Sequence, residues 1–155
     1  MLIDLLSQTL DRSGALENFW GKLDAGADAT IGVASSARPF LVAARFAERL
    51  QPTLVVVPGE ETAETFARML GAYVGDEKVY LYREREENPF ILDLPANAKE
   101  YQARARQSAR RLEALWALQS GRSCLVVASA RALLRKVAPA CAEVARPLVL
   151  EAGKE

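Results

Sequence analysis

The chain has no histidine, only two cysteines, and no charge excess of either sign: 20 basic side chains balance 20 acidic ones. Without histidine, the commonest general acid–base group and the commonest metal ligand are gone, and two thiols are too few for a zinc cluster. Long apolar runs are missing too, since none approaches the roughly 18 residues that cross a bilayer, which argues against a membrane anchor. A formal net charge of zero excludes a strongly basic nucleic-acid arm. The opening residues Met1-Leu2-Ile3-Asp4 place an acid where a secretory signal needs cations, and the first Arg is Arg12, so a cytoplasmic protein is expected.

What is present is a chain of 155 residues, half of them apolar, enough for one domain with a real core. Cys124 sits in an apolar run and Cys141 in an Ala-rich stretch, so both read as buried reduced thiols. Charge is unevenly distributed: residues 1–98 carry 9 basic and 15 acidic side chains, residues 99–136 carry 9 and 2. A positive face inside a neutral chain is the implication.

Leu2, Ile3, Leu5, Leu6 and Leu10 repeat at helical spacing, and a second short helix is predicted over 15–23. Ala29-Thr30-Ile31-Gly32-Val33 reads as a strand, followed by small residues and the helical pattern Phe40, Leu41, Ala44, Phe46, Ala47, Leu50. Thr53-Leu54-Val55-Val56-Val57 is continuously apolar after its first residue and is expected to be a strand buried on both faces. Pro58-Gly59 ends it before a helix over 60–74, whose Glu60, Glu61 and Glu64 suit the N-terminal end of the helix dipole. A strand is predicted at 78–82 and a loop at 83–97. A long helix follows over 98–119, with Tyr101, Ala105, Ala109, Leu112, Leu115 and Trp116 as its apolar face. Residues 123–128 read as a further buried strand, 130–137 as a short helix, and Leu148-Val149-Leu150 as a possible last strand. Trp20 and Trp116 read as core or interface aromatics. Strands alternating with helices predict an α/β fold, a parallel sheet with helices on both faces.

Ligands in such sheets bind beyond the carboxyl ends of strands, which directs attention to the turn after Val33. Gly32-Val33-Ala34-Ser35-Ser36-Ala37-Arg38-Pro39 falls in register on the phosphate-loop template G-x-x-x-x-G-K-[ST]. Ala37 replaces the second glycine, Arg38 the phosphate-binding lysine and Pro39 the hydroxyl that ligates magnesium. Pro39 also removes a backbone N–H and disfavours helix at Arg38, so the helix is expected to start near Pro39. Ala37 is expected to cost about 1–2 kcal/mol if its position must be left-handed. The strand 125–128 runs into Ser129 where a motor's Walker B strand would end in an acid. Gly32, Ser35, Ser36, Ala37, Arg38 and Pro39 therefore read as a vestigial phosphate loop, with no bound cofactor, no metal and no catalytic residue expected.

These pieces in this order resemble the N-terminal, UvrB-like domain of bacterial transcription-repair coupling factors. The resemblance rests on Ile31-Gly32-Val33-Ala34-Ser35-Ser36-Ala37-Arg38, on Leu54-Val55-Val56-Val57-Pro58 with Glu61-Thr62-Ala63, and on Glu87-Asn88-Pro89-Phe90. It continues through Arg111-Leu112-Glu113-Ala114-Leu115-Trp116-Ala117-Leu118 and the stretch from Leu125 to Pro139, and covers about residues 1–150. UvrB itself is similar but keeps an intact phosphate loop and inserts an aromatic DNA-gripping hairpin, for which residues 83–97, with Phe90 their only aromatic, leave no room. The resemblance implies a degenerate P-loop, helicase-like (partial RecA-like) domain over residues 1–150. Residues 151–155 would begin the interruption that leads to a UvrA-binding domain outside this chain. It further implies a non-catalytic scaffold supporting UvrA recruitment to stalled RNA polymerase in nucleotide excision repair. In such a family ATP, magnesium, DNA and RNA polymerase are engaged by other domains of the full-length protein.

Two other functions compete. A nucleic-acid-binding module would use residues 99–136, with Arg104, Arg106, Arg110 and Arg111 on the long helix, followed by Arg122, Arg131 and Arg135. Against it, no aromatic residues for base stacking are interleaved there, and pairs such as Glu100 with Arg104 would occupy the arginines. An enzyme of another kind would need Ser35, Ser36, Ser129 or a cysteine as nucleophile and a lysine as base. Lys22, Lys78, Lys99, Lys136 and Lys154 stand in no motif that supplies one.

Overall fold

Five consecutive buried residues, Leu125-Val126-Val127-Ala128-Ser129, form the spine of the molecule. In the computed structural model, which describes residues 16–84 and 97–134, they are the central strand of a three-stranded sheet. In chain order the elements are α1 (Glu17–Asp24), a 3-10 turn (Ser35–Ala37), α2 (Arg38–Arg49), β1 (Thr53–Val57), α3 (Glu60–Val74) and a second 3-10 turn (Asp76–Lys78). There follow β2 (Val79–Tyr82), α4 (Ala98–Gln119), β3 (Leu125–Ser129) and α5 (Ala130–Leu134). The expected helix over 2–10, residues 85–96 of the expected loop, residues 135–137, the strand at 148–150, Cys141 and the boundary at 150 lie outside the described residues.

All pairings are parallel and the strand order is β1-β3-β2, with Thr53 opposite Leu125 and Val79 opposite Leu125 on the other side. The chain passes over β3 on its way from β1 to β2 and then turns back. Right-handed crossovers in opposite directions put their helices on opposite faces. Accordingly, Leu125 and Val127 face α3 through Ala63 and Leu70 and α2 through Ala43 and Phe46. Val126, Ala128 and Tyr82 face Ala114 and Ala117 of α4. This is the α/β arrangement with helices on both faces that the alternation predicts. Burying a side chain such as Leu70, which is fully enclosed, contributes about 1.5–3 kcal/mol relative to leaving it in water.

Local chemistry explains the helix ends. Asn97 Oδ1 accepts the Glu100 N–H at 2.9 Å and caps α4. α3 stops at Gly75, which takes φ +96°, and Gly71 one turn earlier lies so close to Asp76 that a Cβ there would overlap its carboxylate.

Three expectations are corrected. Residues 29–33 join no ladder, because among the described residues no strand lies beside them to complete their hydrogen bonds. β1 is not buried on both faces: among the described residues it pairs only with β3, and Leu54 and Val56 remain 47% and 52% exposed. On α4 the buried stripe is Ala114 and Ala117, with Leu115 and Leu118 packed against the same core. Tyr101, Ala105 and Ala109 are exposed because the helix meets the sheet only over its second half.

Candidate functional site

The turn between Val33 and Pro39 leads from the unpaired segment into α2. Ala34 is extended, Ala37 donates its N–H to Ala34 O at 2.9 Å, and the 3-10 turn passes directly into the helix. Ala37 is right-handed, with φ −85° and ψ −17°, so the left-handed penalty anticipated for it does not arise. Arg38 is helical, with φ −59° and ψ −49°, and α2 begins there and not at Pro39. The preference of a pre-proline residue for extended backbone is outweighed here: Pro39 is buried in the first turn, where it needs no N–H partner. Gly32 adopts no positive φ and a Cβ on it would meet nothing, so no close backbone approach requires glycine there. Ser35 and Ser36 are exposed and no side chain caps α2. What the turn presents is two free hydroxyls and the Arg38 guanidinium.

At the carboxyl ends of the strands the polar groups are already committed to one another. Ser129 Oγ donates to Glu60 Oε1 at 2.5 Å and accepts the Ala132 N–H at 3.1 Å. Glu60 Oε1 also accepts the Glu84 backbone N–H at 3.0 Å. Arg83 pairs with Glu64 at 2.6 Å, and Arg131 approaches Glu84 at 3.6 Å. Ser129, the candidate nucleophile at a strand end, is thus a fully buried strut between β3, α3 and α5. No group of acids and thiols among the described residues is arranged to hold a metal ion. Cys124 is a buried free thiol whose pKa burial pushes up, the neighbouring Arg122 opposing weakly, so it is a poor nucleophile.

The four arginines of α4 divide in two. Arg104 pairs with Glu100 at 2.6 Å, as their spacing predicts. Arg111 stacks over the Tyr82 ring at 3.9 Å and donates to the Arg83 carbonyl at 2.6 Å. Arg106 and Arg110 are exposed. The structure therefore does not gather the four into one phosphate-binding surface.

Comparison with family models, with curated proteins and with solved structures returns no match.

A feature that sequence reasoning missed lies beside the turn. α1 and α2 are clamped at one end by Asp24, which bridges Arg45 and Arg49 one helical turn apart, while Arg45 also lies 5.0 Å from the Trp20 ring centre. Between the helices is a cleft of about 350 Å³ lined by Phe19, Trp20, Leu23, Ile31, Val33, Leu41 and Phe46, together with Arg38 and Arg45. The size is that of a small-molecule or side-chain pocket. Trp20 reads from the sequence as a core or interface aromatic in the short helix over 15–23, but nothing in its position says that Ile31 and Val33 would line the same cleft. No described helix is long and apolar enough to cross a membrane.

Proposed function

We propose that this chain is a non-catalytic scaffold domain, helicase-like in layout with a vestigial phosphate loop, of the kind found at the N-terminus of bacterial transcription-repair coupling factors. There it would support recruitment of UvrA to a stalled polymerase. The observation that carries the reading is the turn at 34–39, where the buried Pro39 occupies the first turn of α2 and removes both the metal-binding hydroxyl and one anion-binding N–H. Two further features support it. The strand end where a motor holds its magnesium acid has Ser129, spent on Glu60 and Ala132. β1 pairs only with β3 among the described residues, which leaves the edge that a sheet completed by another strand would present. The test is thermal unfolding with and without magnesium and a non-hydrolysable ATP analogue. The midpoint stays unchanged if the reading is right, and a saturable upward shift overturns it.

A second reading has one observation in its favour, the exposed Arg106 and Arg110, which are free to meet phosphates. Gel-shift titration at two salt concentrations decides it, since binding through arginines weakens steeply with salt. No binding at low salt removes it.

A further inference from the structure

We propose that the cleft between α1 and α2 binds a small amphipathic monoanion, an aromatic or branched apolar body that carries one carboxylate. This does not depend on the function proposed above. One stripe of α2 lines the cleft: Arg38, Leu41, Val42, Arg45 and Phe46 recur at helical spacing. Leu41 and Phe46 are buried, so this lining belongs to the packed body of the protein and is held in place. α1 contributes Phe19 and Trp20, whose ring centres are 4.7 Å apart. A dry cavity of about 150 Å³ takes up benzene. The cleft, at about 350 Å³, has room for a body of two fused rings.

Charge selects the class of ligand. Two cations line the cleft and none of the residues that line it is acidic. Arg45 is already neutralised: it pairs with Asp24 and, at 3.0 Å, with Glu48, and it lies 5.0 Å from the centre of the Trp20 ring. Arg38 stands seven residues earlier on the same stripe, about 10 Å away along the helix axis. It has no ion pair among the described residues. The cleft therefore offers one uncompensated cation, at the first residue of α2, where the helix dipole also favours negative charge. An apolar lining with a single such cation matches a ligand that is apolar along its body and singly charged at one end, the charge directed toward Arg38. A triphosphate, polar throughout and several times charged, does not match it.

The experiment titrates the full chain with three probes of one shape, 2-naphthoate, the uncharged 2-naphthalenemethanol and the cationic 2-naphthylmethylammonium, followed by amide NMR and calorimetry. Saturable one-to-one binding of naphthoate is expected, with shifts at the Trp20 indole, Val33, Arg38 and Leu41 and none in the second half of α4. The alcohol should bind about fivefold more weakly and the ammonium more weakly still. Arg38→Gln, at an exposed position, should lower naphthoate to the affinity of the alcohol. Leu23→Glu, also exposed, should weaken it further by adding a like charge to the lining. The comparison of the three probes needs no variant. Absence of saturable binding, shifts confined to other parts of the chain, or an ammonium that binds as tightly as the carboxylate overturns the proposal. Naphthoate affinity unchanged by Arg38→Gln overturns it too. So do shifts at these residues that follow protein concentration without any probe, which would assign the cleft to a second copy.

Discussion

Ser129 on β3 donates its hydroxyl hydrogen to Glu60 on α3 across 2.5 Å, joining positions 69 residues apart. Ser129 is fully buried and also receives the Ala132 N–H at the start of α5, so one hydroxyl ties a strand, a crossover helix and the next helix together. Ser129→Ala strips an N-cap and leaves Glu60 one donor short, an expected loss of about 1–3 kcal/mol. Glu60→Gln keeps an oxygen able to accept from Ser129 and should lose less than Glu60→Ala. Urea unfolding of the single and double alanine variants measures the coupling, expected at about 0.5–3 kcal/mol for groups in direct contact. Additive losses would mean that the two side chains act independently.

Arg111 and Arg106 stand on the same helix, yet they should respond differently to removal. Arg111 lies over Tyr82, which is 3% exposed, and holds the Arg83 carbonyl. Arg111→Ala is expected to cost about 1–2 kcal/mol of stability from lost stacking and a charge-assisted hydrogen bond. Arg106→Ala and Arg110→Ala, at exposed positions, should fall within about 0.5 kcal/mol of the parent. Denaturant midpoints for the three variants check the ranking.

The elements legible in the sequence are those whose apolar pattern and end signals are local. Thr53–Val57, Glu60–Val74 and Ala98–Gln119 fall where strand composition, the Pro58-Gly59 stop and helical spacing place them. Pairing is a different matter. Residues 29–33 have the composition of a strand, but a ladder needs a neighbour and composition names none. Leu54 and Val56 look like core residues until the strand order puts β1 at the edge of the sheet that the described residues form. The candidate site divides along the same line. The departures at Ala37, Arg38 and Pro39 can be read directly, whereas the Ser129–Glu60 contact and the cleft join residues with no sequence relation.

Leu50 ends α2 with φ +50° and ψ +40°, the left-handed conformation that costs a side-chain-bearing residue about 1–2 kcal/mol. Its side chain is 53% exposed, so little apolar burial is lost on truncation. Leu50→Gly is therefore expected to stabilise the protein by up to about 1 kcal/mol, with the greater freedom of glycine in the unfolded chain offsetting part of the gain. A higher urea midpoint at unchanged slope is the expected observation. A lower midpoint would mean that Leu50 packs more productively than its exposure indicates.

Cys124 makes stability depend on alkaline pH. Burial, which leaves it 1% exposed, raises its folded pKa above the ordinary value of 9.0, against a weaker lowering by Arg122. The folded chain therefore holds this proton more tightly than the unfolded chain does. Below the unfolded pKa both states carry the proton and its contribution to stability is fully present. As pH rises from there toward the folded pKa, the unfolded state loses the proton first, and stability falls by up to about 1.4 kcal/mol per pH unit. In a Cys141→Ser background, unfolding free energies between about pH 8 and pH 10 should show this decline, and Cys124→Ala should remove that part of it. The same geometry predicts slow reaction of Cys124 with a thiol reagent in the native protein and rapid reaction in urea, because the reagent reaches the sulfur only when β3 separates from α4. Equal rates in both conditions would contradict the burial on which the pH argument rests.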